Sequence, residues 1–161
     1  MINIHKLLLA LSILILVLPM FSSNTAPEKP ASYYQESTFE KISPSDWIKE
    51  SQIKVYDNRI IIDLENAEWA KFTDTNSMDP VIDSNANAIE IVPKSYKEIQ
   101  PGDIVSYEIE NVEGIIIHRV VETGFDEKGW FAVTKGDNLE NNDPFKIRFS
   151  NIKRVVVAII Y

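Results

Sequence analysis

The chain has 161 residues, of which 45% are apolar and 25% are charged, values typical of an ordinary globular domain. Its formal net charge of −8, with no run of basic residues, argues against nucleic acid as a partner, because phosphate binding depends on clustered lysine and arginine. The chain has no cysteine, which excludes disulfides, thiolate nucleophiles and cysteine-ligated metal sites.

The N-terminus is an apolar segment from Leu7 to Phe21, preceded by a single lysine, Lys6. As a helix this segment covers about 22 Å of a hydrocarbon core about 30 Å thick, but Ile2 and Ile4 extend it and Lys6 can snorkel. We favour an uncleaved membrane anchor over residues 1–22. A cleaved signal peptide fits less well because small residues are poorly placed for a cut, and a buried helix fits less well because the segment is apolar on every side.

Either of the two leading interpretations places the rest of the chain outside the cytoplasm. The anchor interpretation predicts a single-pass protein of the cell membrane, with the lipid bilayer as a partner of residues 1–22 and the main domain on the extracytoplasmic side.

Residues 23–42 contain prolines and several serines without apolar periodicity, which is typical of a flexible linker. A helix-start signal follows. Ser43 is a suitable N-cap, Pro44 occupies the first helical position, and Asp46 comes three residues after the cap. The pattern predicts a short helix that carries Trp47.

From Ile53 onward, runs rich in β-formers are separated by clusters of Pro, Gly, Asn and Asp. The first two runs flank Asp57-Asn58, a plausible hairpin turn. The later runs are Ala88 to Val92, Asp103 to Ile109, Gly114 to Glu122, Trp130 to Lys135 and Arg154 to Ile160. We therefore predict that residues 43–161 form a mainly β domain, an antiparallel sandwich or barrel.

A serine, Ser77, lies where a strand-like run ends and the chain turns, in the sequence TDTNSMDP. A turn at a strand end exposes side chains, as a nucleophile requires. Serine before Asp-Pro is also a common turn-former, and the serine alone is a weak signal.

Catalysis by Ser77 would need a neighbour that accepts its proton, and histidine is suited to this because its ordinary pKa is near 6.5. The histidines are His5, at the start of the apolar segment, and His118, at the end of an apolar strand-like run. If a histidine serves Ser77, it is His118. The alternative is a half-buried strand histidine bonded to a carbonyl.

A histidine base also needs an acceptor that sets its tautomer. Asp137, directly after a predicted strand, and Asp143, before Pro144, are the best-placed acidic residues. Each is also an ordinary turn residue, and composition does not choose between them.

Four short boxes resemble, in order, the conserved boxes of type I signal peptidases, in the archaeal and endoplasmic-reticulum branch that uses histidine where bacterial enzymes use lysine. The boxes are Thr75 to Pro80, Gly102 to Val105, His118 to Val120, and Thr134 to Asn138 with Asp143 beyond. The resemblance covers roughly Phe72 to Ile160. Four boxes in the right order are a strong signal, although any one of them alone is weak.

The resemblance implies a serine endopeptidase. Ser77 would be the nucleophile and His118 the general base and then acid. Asp143 would orient His118, with Asp137 as a supporting or alternative partner. The Thr75 hydroxyl would join the Ser77 N–H in the oxyanion hole. The resemblance implies no cofactor and no metal.

The resemblance also implies how substrate binds. A signal-peptide-bearing preprotein would add as an extended strand between the run leading into Ser77 and the run leading into His118, and would be cut after small residues. The expected substrate contacts are Phe72, Asp74, Ile115 and Ile117.

Asn76 replaces the glycine usual before the nucleophile, and asparagine tolerates left-handed backbone better than most residues. Two alternatives remain. One is an anchored homologue that binds peptides without cutting them. The other is a self-cleaving peptidase of the serine–lysine type that would use Lys94 or Lys97, although no Ala-Gly pair precedes Ser77.

Overall fold

The computed structural model describes residues 42–161. The predicted anchor over residues 1–22 and residues 23–41 of the predicted linker lie outside this range. No helix within residues 42–161 is long and apolar enough to cross a membrane.

Nine short to medium strands and three single 3₁₀ turns make up the regular structure of residues 42–161. The strands are β1 (Ile53–Tyr56), β2 (Arg59–Ile62), β3 (Glu68–Lys71), β4 (Asn87–Ile91), β5 (Ile104–Tyr107), β6 (Ile116–Asp126), β7 (Gly129–Lys135), β8 (Lys146–Ile147) and β9 (Ile152–Ile160). The 3₁₀ turns are Glu50–Gln52, Tyr96–Glu98 and Phe149–Asn151.

The strands form two antiparallel sheets. One is the β1–β2 hairpin, which turns at Asp57-Asn58 as predicted, with Tyr56 opposite Arg59. The other has seven strands in the order β3-β4-β9-β5-β6-β7-β8. Every pairing in both sheets is antiparallel, which confirms the prediction of a mainly antiparallel β domain.

The large sheet is packed on both faces, which explains why β5 is buried along its whole length. Successive strand residues point to opposite faces. Val105 and Tyr107 therefore join one apolar cluster, whereas Ile104 joins a second one with Met78 and Val156. The second cluster includes the residue directly after Ser77, so the candidate nucleophile is tied to the core of the sheet.

The short helix predicted from Ser43 is wrong, because residues 42–48 contain no helix and the nearest 3₁₀ turn begins only at Glu50. The buried Asp103 carboxylate competes for the groups that a helix would use. It accepts hydrogen bonds from the Ser45 N–H at 2.7 Å and from the Trp47 indole N–H at 3.0 Å. These long-range bonds to a charged acceptor are stronger than a cap on one short helical turn.

Candidate active site

The turn that carries Ser77 lies a few residues after β3 and is preceded by a residue with left-handed backbone. Asn76 has φ = 56°, the conformation that asparagine was expected to tolerate in place of glycine. The Met78 side chain is buried, and the Val81 and Ile82 N–H groups both donate to the Met78 carbonyl at 3.0 Å. Ser77 thus lies between Asn76, which has left-handed backbone, and Met78, whose side chain is fixed in the core.

The loop after β7 supports the Ser77 turn from a distant part of the sequence. The Asn138 N–H donates to the Ser77 carbonyl at 3.0 Å, and its side-chain amide donates to the Asn76 carbonyl at 2.9 Å. A Cβ atom at Gly136 would lie 2.5 Å from the Ser77 carbonyl oxygen, closer than real contacts allow. Glycine at this position therefore lets the loop approach the turn.

His118 lies on β6 and is buried, with 9% of its surface exposed. Its Nδ1 atom lies 2.8 Å from Asp143 Oδ2 and 3.0 Å from Oδ1. An ionised carboxylate only accepts hydrogen bonds, so this contact places the ring proton on Nδ1. In the neutral ring Nε2 therefore carries the lone pair, and it has no hydrogen-bond partner within residues 42–161.

Two hydroxyls that the sequence did not single out complete the surroundings of Asp143. The Tyr107 hydroxyl donates to Oδ2 at 2.7 Å, and the Thr134 hydroxyl does so at 2.6 Å. The Asp143 N–H in turn donates to the Thr134 carbonyl at 2.8 Å. Tyr107 lies just after the box GDIV, and Thr134 begins the box TKGDN. Their positions in or beside boxes that resemble those of signal peptidases are the signal that could have identified them.

The hydrogen bonds keep Asp143 ionised. Burial raises the pKa of the Asp143 carboxyl, but the hydrogen bonds from His118, Thr134 and Tyr107 outweigh burial, so the pKa lies below its ordinary value. Burial also raises the pKa of the Tyr107 phenol well above its ordinary value, which keeps this group a donor. The result is a carboxylate able to orient an imidazole and to stabilise its protonated form.

Asp137, the other candidate carboxylate, is engaged elsewhere. It accepts two parallel hydrogen bonds from Arg119, from Nε to Oδ1 and from Nη2 to Oδ2, each 2.7 Å long. The remaining Arg119 amino group donates to the Gly102 carbonyl at 2.7 Å. No hydrogen bond within the described part of the chain joins Asp137 to His118, so Asp143 is the carboxylate that contacts the ring.

Ser77 and His118 line one cavity of about 620 Å³. Ser77 Oγ lies 3.1 Å from Thr75 Oγ1, and no hydrogen bond joins it to the His118 ring. The predicted substrate contacts Phe72, Ile115 and Ile117 line this cavity. Asp74 is exposed and is not part of the lining.

Two strand edges without partners border the cavity. The outer edge of β3 has no partner strand within residues 42–161. On β6, pairing with β7 begins only at Arg119, so Ile116–His118 have a partner strand on the β5 side alone. Unpaired strand edges can bind an extended peptide through backbone hydrogen bonds.

Neither Lys94 nor Lys97 lines the cavity. Lys94 is exposed and pairs with Glu65 at 3.3 Å. The lysine that does line the cavity is Lys71, whose ammonium lies 5.1 Å from the centre of the Trp69 ring. A lysine base would therefore have to be a residue that no sequence pattern singled out.

The cavity also contains a buried carboxyl group, Glu90 on β4. Burial raises the pKa of Glu90 above its ordinary value, and the nearby Ser106 hydroxyl and Arg154 guanidinium offset this only in part.

Residues 42–161 contain no group of three or more His, Asp or Glu side chains that could hold a metal ion.

Comparisons with protein-family models, with curated proteins and with solved structures found no match to this chain.

The raised pKa of Glu90 predicts a stability that depends on pH. Above the ordinary glutamate pKa of 4.5, the unfolded chain loses this proton while the folded chain keeps it, so stability falls as pH rises through the folded pKa. Replacing Glu90 by Gln removes this loss. Urea unfolding of the full chain in detergent should show Glu90→Gln gaining stability relative to the unmodified protein between about pH 4 and about pH 8.

The matched control is Glu127→Gln, in an exposed turn. A Glu90→Gln effect that is equal at both pH values, or no larger than that of the control, would contradict the buried-carboxyl assignment.

Proposed function

We propose that this chain is a serine endopeptidase that cleaves through an acyl-enzyme on Ser77, with His118 as general base and Asp143 as the carboxylate that orients it. The supporting observation is the 2.8 Å contact between His118 Nδ1 and Asp143 in a ring whose Nε2 is unpaired, on the cavity that Ser77 also lines. The resemblance of the boxes to type I signal peptidases supplies the substrate class, signal-peptide-bearing preproteins cut after small residues.

The first half of the reaction forms the acyl-enzyme. His118 Nε2 accepts the Ser77 proton as Oγ attacks the scissile carbonyl carbon. Asp143 stabilises the resulting imidazolium through the Nδ1–H bond. The tetrahedral oxyanion is stabilised by the Ser77 N–H and by the Thr75 hydroxyl, which already lies 3.1 Å from Ser77 Oγ. Nε2 then protonates the leaving amine, and the C–N bond breaks.

The second half releases the product. Water enters, loses a proton to His118 Nε2 and attacks the acyl carbon, and the Ser77 oxygen leaves with that proton. The Ser77 and His118 side chains would come into hydrogen-bond contact only as the peptide fills the cavity, since catalytic hydrogen bonds are often long before substrate binds.

Substrate recognition would use the two unpaired strand edges. An extended peptide lying between the β3 edge and Ile116–His118 could bond to both through its backbone. Phe72, Ile115 and Ile117 would contact its side chains. Because backbone bonds carry no sequence information, the side chains that line the cavity would set selectivity.

The predicted anchor supports a cellular setting for this activity. An anchor over residues 1–22 would hold the domain at the extracytoplasmic face of the cell membrane, where exported precursors emerge. An anchored peptidase would meet such precursors at high local concentration.

A second function is favoured by one observation. Because Ser77 Oγ bonds to Thr75 and not to His118, the same cavity could bind peptides without cutting them. The serine–lysine mechanism has less support, since Lys94 and Lys97 do not line the cavity.

Turnover of a precursor separates these functions. The full chain in detergent should cleave a precursor with small residues before the cut, and Ser77→Ala or His118→Ala should lower kcat roughly 10³-fold or more, because each removes a group that acts on the reacting atoms. Mass spectrometry of the products gives the site and rate of cleavage.

The exposed serine in Ser150→Ala is the control for side-chain removal, and Lys94→Ala with Lys97→Ala test the lysine mechanism. These three variants should keep full activity. Retained cleavage by Ser77→Ala contradicts the proposed mechanism, and tight peptide binding without cleavage by the unmodified chain indicates the non-cutting homologue.

The two aspartates should behave differently when replaced. Asp143→Asn should lower kcat about 10²-fold or more, because an amide no longer sets the His118 tautomer or stabilises the imidazolium. Asp137→Asn should lower kcat far less, while breaking the Arg119 pair lowers the free energy of unfolding by about 2 kcal/mol. Steady-state kinetics and urea unfolding of both variants check this. The reverse pattern would show that Asp137 serves the histidine.

A further inference from the structure

Glu90 and Ser106 place two unsatisfied polar groups in the wall of the cavity. Their exposed fractions are 6% and 2%, so both are almost fully buried. Neither Glu90 Oε1 nor Ser106 Oγ has a hydrogen-bond partner within residues 42–161, yet both residues line the cavity that holds Ser77. Leaving one such buried group unpaired lowers stability, so a pair of them at one cavity needs an explanation.

The sheet register brings the two groups together. Glu90 on β4 lies opposite Val156 of β9, and Ser106 on β5 lies opposite Arg154, two residues away on the same strand. Residues two apart share a face of the sheet. The Arg154 guanidinium does not satisfy Glu90 Oε1, because it bonds to Glu68 instead.

The rest of the nearby wall is apolar. Met78 and Ile82 are buried and, with Ile117, line the same cavity. A group bound there must therefore be small and mostly apolar, with one polar atom directed at Glu90 and Ser106. A hydroxyl matches the pair in both senses, since it can donate to the unpaired carboxyl oxygen of Glu90 and accept from the Ser106 hydroxyl.

We propose that Glu90 and Ser106 form a specificity subsite for a short hydroxyl-bearing side chain, Ser or Thr, of the bound peptide. The inference rests on the proposed function, because it assumes that the cavity accepts an extended peptide. Alanine at the same peptide position leaves both protein groups unpaired. A lysine ammonium can donate to both oxygens but cannot accept the Ser106 proton. Glu90 acts in selection only and takes no part in the proton transfers.

Peptide binding tests the subsite without requiring cleavage. The full chain carrying Ser77→Ala, in detergent, is titrated by calorimetry with peptides that carry Ser, Ala or Lys in turn at each of the positions before the cut. At one position the Ser peptide should bind about tenfold more tightly than the Ala peptide, as expected when buried polar groups that were unpaired gain hydrogen bonds.

Variants of Glu90 and Ser106 identify the groups responsible for the preference. In the Ser77→Ala chain, the further changes Ser106→Ala and Glu90→Gln should each reduce the tenfold preference. The double change Glu90→Met with Ser106→Ala should abolish it. The double variant replaces both polar partners by apolar groups, a change that folded proteins tolerate better than the loss of one partner. Ser84→Ala, at a serine of the cavity wall outside the pair, should keep the preference.

Several outcomes would overturn the inference. These are equal affinity for Ser and Ala at every position, a preference unchanged in the double variant, or a Lys preference that Glu90→Gln abolishes, which would mean a cation site. If the Ser77→Ala chain discriminates between Ser and Ala peptides while the unmodified chain cleaves no precursor, the subsite is supported and the peptidase function is contradicted. If the unmodified chain cleaves precursors but the Ser77→Ala chain does not discriminate, the peptidase function is supported and the subsite is contradicted.

Discussion

The hydrogen bond between His118 Nδ1 and the partly buried Asp143 carboxylate is the interaction on which the candidate site depends. It sets the tautomer, leaves Nε2 with a lone pair, and is itself held by Tyr107 and Thr134. Removing a carboxylate from water costs free energy unless it is fully hydrogen-bonded, and here three donors bond to Asp143. Because these donors come from three different strands or loops, the sheet must be formed before the site exists.

Local pattern was sufficient to predict most of the strands. The β1–β2 turn at Asp57-Asn58 and the later strands were found within a few residues, because alternating apolar residues and turn-formers act over short distances. The helix expected from Ser43 failed for the opposite reason. The Ser45 N–H, which the cap would have bonded, donates instead to Asp103, more than fifty residues away, and no local pattern reveals such a partner.

The box order singled out Ser77, His118 and two aspartates as candidates. The residues alone left Asp137 and Asp143 open, and the resemblance favoured Asp143, which is the carboxylate that contacts the ring. Arg119 follows His118 in sequence, so its side chain points to the other face of β6, where it donates hydrogen bonds to Asp137. Asp143 is the carboxylate that bonds to the His118 ring. Glu90 and Ser106 carried no sequence signal, because a lone acidic or hydroxyl residue in a strand becomes unusual only when its neighbours leave it unpaired.

The most direct test of the account is the protonation of the His118 ring, observed by nitrogen-15 NMR on the full chain near neutral pH. The chain has two histidines, so a His5→Gln variant assigns the signal without touching the domain. The proposed mechanism requires that the neutral form of the ring carry its proton on Nδ1 and leave Nε2 unprotonated. A neutral ring with its proton on Nε2 would contradict it, because that nitrogen could not accept the serine proton.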